Sequence, residues 1–113
     1  MPKQRLKVFL DISALIAGIA SSKGAARAVL QLAEVGLIEV FVSTQVIVEA
    51  DRNVEAKLTE MIDEYREFIE ILAPVLVDDP LQKEVKKFSS IIHPDDAPIL
   101  AAAVNSGVDF LVT

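Results

Sequence analysis

Short apolar runs alternate along this chain with longer segments of helical period, and that alternation leaves few folds open to it. Val8–Phe9–Leu10 is apolar without interruption, as a strand buried on both faces is. Ile38 to Val42 is β-branched and aromatic, Val75–Leu76–Val77 is a third run of this kind, and Val108 to Val112 is a fourth. Between the first two lie a short helix or turn over Ile12 to Ala20 and a polar break at Ser21–Gly24. A helix follows from Ala25, with Ala26, Val29, Leu30, Ala33 and Leu37 in period and Gly36 placed to cap it. Ser43–Thr44 supplies an N-cap for a helix from Gln45 through Lys57. Leu58, Met61, Ile62, Tyr65, Phe68, Ile69 and Leu72 then form the apolar stripe of an amphipathic helix that Pro74 ends. Two more helices are expected, one from Leu81 to Phe88 and one opening at His93–Pro94–Asp95–Asp96 and ending near Asn105, capped by Gly107. Strands alternating with helices predict an α/β fold, a three-layer sandwich around a central, mostly parallel sheet.

That architecture has a directional consequence. Crossover helices run back against parallel strands, so each helix begins where the preceding strand ended, and ligands bind outside the carboxyl ends of the strands. Asp11 stands at the end of the first strand, Glu49 in the second turn of the helix after the second, and Asp95 and Asp96 in the first turn of the helix before the fourth. All four map to one edge of the sheet. Each has a plain structural reading: Asp11 caps the next turn, Glu49 sits on a solvated face with Gln45, Arg52 and Asn53, and Asp95 and Asp96 favour the positive end of a helix dipole. Their convergence favours a second reading. Carboxylates about 4 Å apart repel by roughly 4 kcal/mol at an effective dielectric of 20, and a hard dication removes that cost. Oxygen ligands with an open, hydrated shell suit Mg²⁺ or Mn²⁺, which polarises a phosphoryl oxygen and acidifies its bound water.

Composition narrows the classes without choosing among them. The chain has 113 residues, 52% hydrophobic and 25% charged, which describes one globular domain. It contains no cysteine, which excludes disulfides and thiolate metal sites. No apolar run reaches the roughly 20 residues a membrane span needs, so no membrane partner is expected. Met1 to Lys7 leads into a strand rather than a signal-peptide core, and the expected location is cytoplasmic. A net charge of −6 does not favour a nucleic-acid partner. Much of it sits in one stretch, Glu55, Glu60, Asp63, Glu64, Glu67 and Glu70, and a bound dication would reverse the field locally. No Gly-rich phosphate loop is present, and His93 is the only imidazole, which argues against histidine-based acid–base catalysis.

Three segments in order resemble the motifs of the PIN-domain family. Val8-Phe9-Leu10-Asp11-Ile12-Ser13-Ala14-Leu15 resembles its opening motif, an apolar strand ending in Asp with a small polar residue close behind. Ser43-Thr44-Gln45-Val46-Ile47-Val48-Glu49 resembles the second, and His93 to Ala103 resembles the third, in which an acidic residue precedes an Ala-rich helix. Gly107 to Thr113 resembles the strand leading to the last motif. The resemblance implies a Mg²⁺- or Mn²⁺-dependent ribonuclease acting on RNA, in many small members the toxin of a toxin–antitoxin pair (the VapC type), dimeric and silenced by an antitoxin protein. Carried over by position, Asp11, Glu49 and Asp96 hold the metal, and Ser13 orients Asp11 or a bound water. Asp96 is preferred to Asp95 because it directly precedes Ala97-Pro98-Ile99-Leu100, and Asp109 is left as a structural residue. The family pattern continues past the final Thr with a further acidic residue, so residues 1–113 are expected to form a single PIN-like domain lacking the usual C-terminal segment. Two functions therefore stay open: an RNA-cleaving enzyme, and a catalytically incomplete module that binds RNA or a protein. A homodimer is expected from the exposed part of the Leu58–Leu72 stripe or from apolar surface left bare at the C-terminal end.

Overall fold

The computed structural model describes residues 5–20 and 25–112, with the side chains of residues 25 and 26 outside the description. The polar break expected at Ser21–Gly24, and Thr113, fall outside the described residues. Chain order is β1 (Leu6–Leu10), α1 (Ile12–Ala20), α2 (Ala25–Glu34), β2 (Ile38–Ser43), α3 (Thr44–Lys57), a 3₁₀ turn at Thr59–Met61, α4 (Ile62–Leu72), β3 (Val75–Val77), α5 (Gln82–Ser89), α6 (Ala97–Asn105) and β4 (Phe110–Val112). The strands form one sheet in the order β3-β2-β1-β4, every neighbouring pair parallel, which is the sheet the alternation predicts.

The uninterrupted apolar run of β1 is explained by its place. Val8 and Phe9 are flanked by Val40 and Phe41 on one side and by Phe110 and Leu111 on the other, and Val8, Phe9 and Leu10 are all buried. Phe9, Leu10, Leu15, Leu30, Val42 and Val46 are the largest fully buried apolar side chains, each stabilising the fold by about 1.5–3 kcal/mol. Helices α1 to α4 pack on one another, and α5 packs on α6. Strand order steps from β1 to β3 in one direction and returns to β4 in the other, so right-handed crossovers put these two groups on opposite faces. The alanine-rich stretch of α6 buries Ala97, Ala101, Ala102 and Ala103, small side chains that let the helix approach closely.

Several boundaries differ from expectation, each for a local reason. Strand β1 begins two positions earlier, at Leu6, because Leu6 and Lys7 pair in register with Ile38 and Glu39. Strand β4 begins only at Phe110: Asp109 donates its amide to the Lys7 carbonyl and accepts from the Lys7 amide through Oδ2, both at 2.8 Å, which ties down the turn before the strand. Helix α2 stops at Glu34, where Gly36 at φ +80° lets Gly36 and Leu37 donate to the carbonyls of Ala33 and Leu32; Leu37 is thus outside the helix and exposed. The stripe from Leu58 is not one helix, since Leu58 adopts φ −130°, ψ 46° as α3 ends and the chain reverses through the 3₁₀ turn into α4. Tyr65, Phe68 and Leu72 of that stripe are buried, and the acidic residues Asp63, Glu64, Glu67 and Glu70 occupy the exposed face. Helix α6 starts at Ala97 rather than at the preceding acidic pair, with Asp96 as its N-cap residue.

The return from β3 to β4 makes a topological switch point between β1 and β4, where the connections leave the sheet in opposite directions and a crevice opens at the carboxyl edge. Asp11 is the residue that enters it. Its amide donates to the carbonyl of Val112 at 3.2 Å, so the chain turns out of β1 directly over that crevice.

Candidate functional site

Asp11 performs the capping role its position allows. Its Oδ1 accepts from the Ala14 amide at 2.8 Å and its carbonyl from the Leu15 amide at 3.0 Å, which satisfies the start of α1. Capping also fixes the carboxylate, half-buried at the switch point, and leaves Oδ2 without a hydrogen-bond partner among the described residues. The bond that orients Asp11 comes from the Ala14 amide and not from Ser13, which is exposed and forms part of the cavity wall.

Glu49 is set by α3. The helix begins where β2 ends because Ser43, 2% exposed, accepts the Val46 amide on Oγ at 3.2 Å, while Asp79 from the loop after β3 accepts the Gln45 amide at 2.9 Å. Two side chains thus pin the first turn, and the second turn delivers Glu49 to the carboxyl edge. The Gln45 Nε2 amide donates to Glu49 Oε1 at 3.0 Å. Among the described residues Glu49 makes no ion pair with Arg52, the partner that a solvated face would offer. The solvated-face reading of Glu49 grouped Gln45 with it as a surface residue; in the structure both line the cavity. The spacing of four between Gln45 and Glu49 was the available signal, since such residues neighbour each other on a helix.

Asp95 and Asp96 approach from the third direction. Although Asp96 is the N-cap residue of α6, its side chain makes no capping bond, and it is exposed. Asp95 is also exposed, with its carboxylate 3.6 Å from His93 Nδ1 and its amide donating to that nitrogen at 3.2 Å. His93 therefore serves the local turn. Arg27 donates to the Gly18 carbonyl at 3.3 Å and lies over the Phe68 ring, 5.4 Å from its centre.

The four carboxylates line one open cavity of about 470 Å³, with Ser13, Gln45, Pro94 and Pro98 among its walls. Among the described residues no lysine or arginine lines it, so the lining is negative and a cation is the complementary occupant. Among the described residues no three acidic, histidine or cysteine side chains are grouped tightly enough to enclose a metal ion directly. Hard oxygen donors around a roomy polar space still fit a hydrated Mg²⁺, which keeps several waters and binds through one or two carboxylates. Asp11, Glu49 and Asp96 are the residues that could hold it. A smaller crevice of about 250 Å³ between α3 and α4 has another character: Ile47, Val54, Ile62 and Ile69 line it, and Tyr65 donates to Asp51 at 2.6 Å across its floor. Burial, and then the Asp51 carboxylate, push the Tyr65 hydroxyl well above the usual tyrosine range. No helix among the described residues is long and apolar enough to cross a membrane.

In comparison with known families, the model of the PIN domain matches residues 7–113. No curated protein matches the chain.

Proposed function

The chain belongs to the PIN-domain family, whose members are in general nucleases, and on that premise we propose that it is a Mg²⁺- or Mn²⁺-dependent endoribonuclease hydrolysing RNA phosphodiester bonds. One observation carries the reading: Asp11, Glu49, Asp95 and Asp96, from three separate parts of the chain, line a single cavity at the switch point of the sheet, and no basic side chain of the described residues lines it with them. Asp11, Glu49 and Asp96 are the proposed ligands.

A bound dication supplies charge for a phosphoryl oxygen and an acidified water. The chain's own residues do the positioning. Asp11 is held by the Ala14 amide and Glu49 by the Gln45 side-chain amide, so each has one oxygen bound and one without a hydrogen-bond partner among the described residues. Ser13 stands on the wall beside Asp11, placed to hydrogen-bond a water or a phosphate oxygen. The acidic lining repels a bare phosphodiester, which makes RNA binding itself depend on the cation. Cation dependence of this kind reconciles a net charge of −6 with a polyanionic substrate. The resemblance extends the proposal to a toxin of a toxin–antitoxin pair, cytoplasmic, homodimeric and silenced by an antitoxin protein.

A catalytically incomplete module that binds RNA or protein is the second reading, and the looseness of the carboxylate group favours it. Incubating the purified chain with single-stranded RNA in Mg²⁺, in Mn²⁺ and in chelator separates the two. The enzyme cuts only with metal. Cation-dependent RNA binding without cleavage selects the module, and cleavage in chelator defeats both.

A further inference from the structure

We infer that Gln45 is a positioning residue of the carboxylate site, holding Glu49 in the conformation that receives the ion. The inference rests on the metal-dependent reading above and adds to it a residue that the ligand set does not contain. Gln45 Nε2 lies 3.0 Å from Glu49 Oε1, and both residues are half-buried in the wall of the cavity that Asp11 also lines. A carboxylate only accepts, so the amide must turn its NH₂ toward Glu49, which leaves its carbonyl oxygen as an acceptor elsewhere.

The backbone of Gln45 is itself fixed. Its amide is held by Asp79 from the loop after β3, and the neighbouring Val46 amide is held by buried Ser43. An otherwise mobile glutamate is thus tied, through one side chain, to a helix start anchored at two strand ends. Asp11 is treated in the same way, one oxygen bound to the Ala14 amide and the other without a partner among the described residues. The two half-buried carboxylates at the switch point are therefore both pre-oriented, whereas Asp96, exposed and without a capping bond, is not. Hydrogen bonds of this type fix ligating carboxylates, and their loss typically weakens metal affinity about 10–100-fold.

The test is Mn²⁺ titration of the full chain by calorimetry, with thermal melts in chelator on the same samples. Gln45→Met keeps the length without the donor, and Gln45→Ala keeps the helix. Both should bind Mn²⁺ about 10-fold or more weakly than wild type while melting in chelator at the wild-type temperature. Glu49→Gln serves as the reference for a lost ligand and should bind at least as weakly. Wild-type affinity in both Gln45 variants overturns the inference and leaves the metal site standing. Weaker binding accompanied by an equal loss of melting temperature in both also overturns it, because Gln45 then serves only the fold. A wild-type chain that takes up no Mn²⁺ removes the metal reading and this inference together.

Discussion

Replacing Asp11 separates its two jobs, capping α1 and holding a cation. Asn is as good an N-cap as Asp and keeps an oxygen for the Ala14 amide, whereas Ala removes the cap at about 1 kcal/mol. A chain of 113 residues unfolds with an entropy near 0.24 kcal/mol/K, so Asp11→Ala should lower the melting temperature in chelator by about 4 °C. Asp11→Asn should melt in chelator with the wild type or slightly above it, since it removes one of the like charges that line the cavity. Divalent metal reverses the order. An ion at ten times its dissociation constant stabilises the wild type by about 1.4 kcal/mol, a rise of about 6 °C. Asp11→Asn should show little of that rise. Calorimetric melts of the three proteins with Mg²⁺ and with chelator make the comparison. The reasoning is refuted if Asp11→Asn keeps the full metal-induced rise, or if it melts as low as Asp11→Ala in chelator.

Further consequences are open to measurement. Ser43→Ala deletes the buried acceptor of the Val46 amide and should cost about 1 kcal/mol, read as a lower midpoint in urea with an unchanged slope. Tyr65 is the one tyrosine, so absorbance at its ionisation band reports it alone. Its folded pKa lies above the unfolded value, so the stability it contributes is complete below about pH 10 and lost as pH rises further. Tyrosinate should therefore appear well above the ordinary tyrosine range, and a reversible titration in the folded protein near the ordinary value would contradict the burial of Tyr65 together with its Asp51 contact. The proposed homodimer should appear in sedimentation at high concentration, and a monomer there removes it.

The carboxylate edge was legible in the sequence because a parallel sheet puts strand ends and helix starts together. Asp11 after Leu10, Glu49 after Ser43, and the acidic pair before Ala97 each needed only the correct element types. What escaped depended on side-chain bonds between distant parts of the chain. Lys7 pairs with Asp109, 102 residues away, and this pairing rather than the local Val108–Val112 pattern decides where β4 begins. The break at Leu58 reflects the reversal between α3 and α4, whereas the apolar period runs straight through it. Gln45 was not assigned to the site because periodicity alone does not say which side of α3 meets the crevice. Asp79 anchors that helix from the other side of β2, a contact no short-range pattern encodes.

Diffraction from crystals soaked in Mn²⁺, recorded where its anomalous scattering is strong, tests the metal site most directly. The account predicts a single strong peak in the cavity at the switch point, within direct or water-mediated reach of Asp11, Glu49 and Asp96, and no such peak in crystals of Asp11→Asn. A peak that avoids this cavity, or one that persists unchanged in Asp11→Asn, contradicts it.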